Sequence, residues 1–130
     1  MDFVAAGRTF LLLGGRPGDK PHLWVILLDP DPTTGQVVAV HLVTAKEHTD
    51  PTVTLNLGDH PFVKHETHVN FGGAKFYLAH KIERAIAKGR CKLNADASKE
   101  LLAKLRAGLL ASSRTANFMV THCRERFPAQ

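Results

Sequence analysis

The chain has 130 residues, is 44% hydrophobic and 22% charged, and carries a formal net charge of +5. That length suits one domain (residues 1–130) with a hydrophobic core of its own, and the composition excludes a disordered or collagen-like chain. Cys91 and Cys123 lie far apart and outside any CxxC spacing, which excludes a disulfide framework and makes a reducing cytoplasm the expected setting.

The apolar run "TFLLLGG" near the N-terminus is too short and too poorly flanked for a signal peptide or a membrane span, so no membrane partner is expected. The charge is unevenly placed. Residues 1–80 hold six Lys/Arg against eight Asp/Glu, and residues 81–130 hold eleven against four. Such asymmetry fits a protein that meets a phosphate backbone or an acidic partner, and equally a solvated helical surface.

Up to residue 80 the pattern is one of short apolar runs separated by turn signals, which predicts β structure. "RTFLLLGG" (8–15) reads as a strand and "GGRPGDKP" as a loop. "HLWVILLD" (22–29) reads as a buried strand, and "PDPTTGQ" as a tight reversal. "QVVAVHLVT" (36–44) is rich in β-branched valine and forms a third strand. "TVTLNL" (52–57), "FVKHETHVNF" (62–71) and "KFYLA" (75–79) are further strand candidates, with Gly72-Gly73 placed as a hairpin turn.

Residues 80–89, "HKIERAIAKG", fit a helical turn or the tail of a strand. From about Asp96 the period becomes helical, with Leu101, Leu105 and Leu109 on one face and Leu102 beside them. Asn94 or Asp96 is the expected cap, with Glu100 near the positive end of the dipole, and Gly108 is expected to weaken the far end of the helix and to bend or end it. "TANFMVTHCRERF" forms a last helix, with Phe118, Val120 and Phe127 available to pack. Strands first and helices last predict an α+β domain: a small, mostly antiparallel barrel core over 1–80 and a basic, mainly helical extension over 81–130.

Residues 58–73, "GDHPFVKHETHVNFGG", concentrate three histidines with Asp59 and Glu66. A zinc-binding helix needs two histidines four apart, but His65 and His68 are three apart among strand-favouring residues. On a strand their side chains point to opposite faces, so a metal site would need distant partners such as His22, His41 or His122. The same alternation puts His65 and Thr67 on the face of Val63, Val69 and Phe71, and His60, Lys64, Glu66, His68 and Asn70 on the other. His65 is then either a core histidine with its hydrogen bonds satisfied or, with Thr67, a ligand-binding group at a barrel mouth.

"HLWVILLDPDPTTGQVVAVHLVTAKEHT" followed by "GDHPFVKHETHVNFGGAKF" resembles the PemK/MazF-type toxins of bacterial toxin–antitoxin modules, in an outlying branch with a phrase close to "GDHPFIKHDSVVNY". The resemblance covers roughly residues 20–80, and the tail "LLAKLRAGLLASSRTANF" is similar to that branch's helical ending. It implies an SH3-like β-barrel, a homodimer, an antitoxin partner, no cofactor or metal, and a metal-independent endoribonuclease acting on single-stranded RNA. His65, Thr67, Lys64 and Thr44 match its pattern. Characterised toxins carry an arginine before the proline that opens their second strand, whereas this chain reads "KPHLWVIL" with His22.

On that resemblance the expected catalytic residues are His65 as base or acid, Thr67 and Thr44 as donors to phosphate oxygens, and His22 as a second imidazole. Lys64 would supply positive charge, although it alternates away from His65 on an ideal strand. Lys99, Lys104, Arg106 and Arg114 are the expected RNA-binding cations of the basic half. The alternatives are a catalytically silent barrel that binds RNA or protein through that half, and an interaction protein with Trp24 at a partner surface rather than in the core. "ASSRT" (111–115) fits an anion site through Ser112, Ser113 and Arg114, or a plain helix junction.

Overall fold

The structure, a computed structural model, describes residues 3–13, 18 and 20–128. Most of the loop expected at 14–21, and the last residues of the strand expected over 8–15, lie outside the described residues. Among the described residues six strands form one sheet: β1 (Thr9–Leu12), β2 (Leu23–Ile26), β3 (Gln36–Thr44), β4 (Thr54–Leu55), β5 (Thr67–Leu78) and β6 (Cys91–Asn94). Three helices accompany them: α1 (Ala79–Ala87), α2 (Lys99–Ala111) and α3 (Asn117–Arg126). The sheet order is β4-β5-β3-β2-β1-β6, every pairing is antiparallel, and the sheet curls into a half-barrel. The chain is therefore α+β, as its pattern of strands before helices predicts.

Both faces of the sheet are covered, which is why β2 reads as an unbroken apolar run. One face carries Leu23 and Val25 of β2, Val38, Val40 and Leu42 of β3, and Val69 and Phe71 of β5. These pack with Leu101, Leu105 and Leu109 of α2 and with Met119 and Cys123 of α3. The other face carries Phe10, Trp24, Ile26, Val37 and Ala39 against Val4, Ile82 of α1 and Cys91. Trp24 is 7% exposed and stacks on Phe10, with Tyr77 edge-on. It is a core residue, and the reading that set it at a partner surface is overturned.

Three sequence expectations are corrected around β5. The strand runs unbroken from Thr67 to Leu78, so Gly72-Gly73 makes no hairpin. Neither glycine has a positive φ. The β3–β5 register shifts between Ala39 and His41, where β5 bulges. Gly73 is needed there for close approach, since a Cβ would lie 2.6 Å from Asn70 Nδ2. Residues 62–66 are irregular rather than strand, so the alternation expected across 62–71 begins only at Thr67. Val63 is buried while Phe62, Lys64, His65 and Glu66 face solvent; His65 is not on the core face.

The C-terminal half differs in equally physical ways. Residues 79–87 are helical and end in a Schellman motif, with Gly89 at φ 74, Gly89 N–H on Ile86 O and Arg90 N–H on Ala85 O. That reversal delivers β6, a strand the sequence reading does not contain, to the sheet edge beside β1. α2 is capped by Ser98, whose Oγ accepts from Leu101 N–H at 3.0 Å, and not by Asn94 or Asp96. Gly108 does not end α2: it lies buried within the helix, and a Cβ there would come within 2.5 Å of Phe71 Cζ and Val53 Cγ2. In α3 the buried residues are Met119 and Cys123, while Phe118 is 65% exposed.

A buried polar clasp ties the loop after β3 to the end of α2. Asp50 accepts Ser112 Oγ–H at 2.5 Å and both the N–H and the hydroxyl of Thr52. Burial alone would raise the Asp50 carboxyl, but these bonds and the charge of Arg114 outweigh it and hold the group below its ordinary value.

Replacing Gly108 with alanine should lower the thermal midpoint, because overpacking costs about 1–3 kcal/mol against a helix-propensity gain of about 1 kcal/mol; a raised midpoint would overturn the close-approach account. The stability that Asp50 contributes is present above the unfolded carboxylate value of 3.8 and is lost as pH falls through the lowered folded value. Urea midpoints of the wild type and Asp50→Asn should therefore differ at neutral pH and converge in acid.

Candidate functional site

Where the β3–β5 ladder ends, Thr44 stands opposite Thr67, and the irregular residues 62–66 fold back across that end. A cleft of about 210 Å³ forms there. Its lining comes from Lys20, Pro21 and His22 ahead of β2, Leu42–Thr44 at the close of β3, Phe62, Lys64 and His65 of the loop, and Thr67. Pro21, Leu42, Val43 and Phe62 supply an apolar wall; two lysines, two imidazoles and two hydroxyls supply the chemistry. Because 62–66 is not a strand, Lys64 and His65 line one cleft instead of opposing each other.

The polar groups are held in specific ways. Thr44 Oγ1 and His65 Nε2 are 3.0 Å apart, a hydrogen bond between an exposed imidazole and the hydroxyl at the strand end. Thr67 Oγ1–H donates to the His65 carbonyl at 2.9 Å, so this buried hydroxyl fixes the backbone of the loop. His22 Nδ1 lies 3.1 Å from the Leu42 carbonyl. A carbonyl can only accept, so Nδ1 carries a proton there and neutral His22 has its lone pair at Nε2.

Behind the cleft stands a third imidazole. The His41 ring is 4.7 Å from that of His22 and 4.6 Å from that of Trp24. Asn70 Oδ1 accepts the Gly73 N–H at 3.1 Å, which turns the amide Nδ2–H₂ toward His41 Nε2 at 3.3 Å. His41 Nε2 is therefore an acceptor, and its buried Nδ1 has no hydrogen-bond partner among the described residues. Burial, then the neighbouring His22 and Lys75, push His41 down to about 4, so it is neutral at physiological pH.

The other histidines divide. His60 is 3% exposed and fully satisfied: Nε2–H donates to Ala95 O at 2.6 Å and Nδ1 accepts from Phe62 N–H at 3.0 Å. The core-histidine role considered for His65 thus belongs to His60. His68 is buried, with Nδ1 2.7 Å from Thr49 Oγ1, and His122 packs edge-on against Phe76. Among the described residues no three His, Cys, Asp or Glu side chains are grouped so as to hold a metal ion.

The cations of the basic half do not converge on the cleft. Lys99 begins α2, and Lys104 Nζ donates to Thr54 O at 3.3 Å. Arg106 Nε donates to Leu27 O at 3.0 Å and its guanidinium lies over Phe127. Arg114 Nη1 donates to His48 O at 2.8 Å. Ser112 caps α2 and bonds Asp50, so residues 111–115 are a helix junction. Sequence reasoning missed Lys20 and Phe62. Lys20 was legible as the cation immediately before Pro21, whereas Phe62 looked like a strand residue.

No protein-family model and no curated protein matches the chain. Solved structures do. A chain of the MazE–MazF structure (form III) from Deinococcus radiodurans is 20% identical, over 81% of this chain and 91% of that one, with a TM-score of 0.51. An endoribonuclease in complex with its cognate antitoxin from a mycobacterial species is 19% identical, over 81% and 89% of the two chains, with a TM-score of 0.50. The fold is that of the MazF/PemK-like toxins. Among the described residues no helix is long and apolar enough to cross a membrane.

His41 is expected to titrate near 4 when its ring protons are followed by NMR. His22→Gln should raise that midpoint by removing a like charge, yet leave it below 6.5 because burial is the larger cause. Since the folded state disfavours the charged ring, His41 makes stability rise with pH between about 4 and 6.5.

Proposed function

We propose that the protein is a MazF/PemK-like toxin-type endoribonuclease that cleaves single-stranded RNA at the cleft between Lys20, His22, Thr44 and His65. The observation that carries the proposal is the gathering of two imidazoles, two lysines and a threonine hydroxyl in one cleft, at the strand ends of a fold shared with an endoribonuclease. In the reaction the RNA 2′-oxygen attacks the adjacent phosphorus and the P–O5′ bond breaks. The products are a 2′,3′-cyclic phosphate and a 5′-hydroxyl, and no water enters.

That displacement requires a base for the 2′-hydroxyl, an acid for the departing oxygen and positive charge for the phosphate. His22 is assigned as base, since its Nδ1–H is committed to Leu42 O and Nε2 is left to accept. His65 is assigned as acid, donating from Nε2, with Thr44 Oγ1 holding that nitrogen and turning its own proton to a phosphate oxygen. Thr67 serves as a positioning residue through the His65 carbonyl. Lys20 precedes Pro21, where the resembled toxins carry arginine, and with Lys64 it supplies the charge. A lysine stabilises phosphate as a point charge, without the fork of a guanidinium.

An antitoxin partner belongs to the same reading and is supported by the solved relatives, one named MazE–MazF and the other bound to its cognate antitoxin. The resemblance implies a homodimer, and the cysteine spacing makes a reducing cytoplasm the expected setting.

The test is incubation of end-labelled single-stranded RNA with the purified protein in excess EDTA. Cleavage to 2′,3′-cyclic phosphate ends is expected, with His22→Ala and His65→Ala each slowing it by roughly 10²–10⁴-fold. Both histidines are exposed, so the variants should keep the wild-type thermal midpoint. RNA left intact by the wild type would sink the catalytic assignment.

A further inference from the structure

Phe62 lines the cleft beside His65 and is 37% exposed. Its position is built rather than incidental. The Phe62 N–H donates to His60 Nδ1 at 3.0 Å, and the next N–H, of Val63, donates to His60 O at 2.9 Å. His60 is itself fixed through Nε2–H to Ala95 O, which also accepts Thr9 Oγ1–H at 2.6 Å. Val63 plugs into the core on the far side. A buried histidine with both nitrogens satisfied, and a carbonyl accepting two short bonds, thus hold one phenyl ring at the mouth of a cleft.

We propose that Phe62 is a stacking platform for the unpaired nucleobase next to the phosphate that the cleft engages; this rests on the reading that the cleft takes RNA. The cleft of about 210 Å³ that Phe62 shares with Pro21 has the volume to admit one planar base. Lys20 and Lys64, exposed and lining the same cleft, complement the phosphates of such a nucleotide. Stacking on an aromatic ring tolerates every base, because each has a π-face. It does require a base free of its pairing partner. Phe62 therefore selects single-stranded over duplex RNA and adds little preference for sequence.

The experiment uses the full chain with Phe62→Trp, Phe62→Ala and the wild type, whose Trp24 is buried and supplies the background emission. Hexaadenylate RNA should quench the added tryptophan, and an abasic hexamer of the same length and charge should not. In cleavage, Phe62→Ala should raise KM for unstructured RNA by roughly 5- to 150-fold, with Phe62→Trp restoring it and all thermal midpoints unchanged. Equal quenching by the abasic hexamer, or none by either, overturns the inference even where the wild type cleaves RNA. Base-dependent quenching with no cleavage by the wild type upholds the platform and removes the catalytic assignment instead.

Discussion

The antiparallel ladder between β3 and β5 is the constraint on which the rest of the molecule depends. It runs from Gln36 opposite Leu78 to Thr44 opposite Thr67. Its alternation decides which side chains meet α2 and α3 and which meet α1. Its bulge between Ala39 and His41 changes the register, so the two ends of the ladder are set separately. At the Thr44 end the partner strand starts only at Thr67, and the residues before it are released from the pleat. That release lets Lys64 and His65 turn to one side and brings His65 Nε2 to the Thr44 hydroxyl.

Glycine serves this framework mainly by its small size. At Gly73 the backbone passes close to the Asn70 amide, which is itself aimed at His41; at Gly108 helix α2 comes down onto Phe71 and Val53. A methyl group at Gly73 would collide with the Asn70 amide, and one at Gly108 would push α2 away from Phe71 and Val53. At Gly89 a positive φ matters, because it ends α1 and sends the chain back as β6.

Histidine has three different roles in this chain, set by surroundings and not by sequence neighbours. His60 is a buried structural group with both nitrogens used. His41 is kept neutral by burial and by His22 and Lys75, with one nitrogen unpartnered among the described residues. His22 and His65 face the cleft, each with one ring nitrogen in a hydrogen bond. Two exposed imidazoles beside two lysines suit an anionic substrate, and an apolar wall with an exposed phenyl suits the bases that such a substrate carries.

Read alone, the sequence determined the class of the fold, the strands β2 and β3, the buried leucine face of α2 and the final helix. Each of these is a local pattern: β-branched runs, turn residues and a helical apolar period report on their own segment. It also named His22, Thr44, Lys64, His65 and Thr67, through chemistry-bearing residue types and a family phrase. Only the tertiary structure decided that these five share a cleft, because their convergence depends on where β5 begins and how residues 62–66 turn, and a strand pattern carries no record of its own end. The same limit hid β6, Ser98 as the cap, the purposes of Gly73 and Gly108, and Phe62, whose exposure is set by the anchoring of His60 on a carbonyl 35 residues further along the chain.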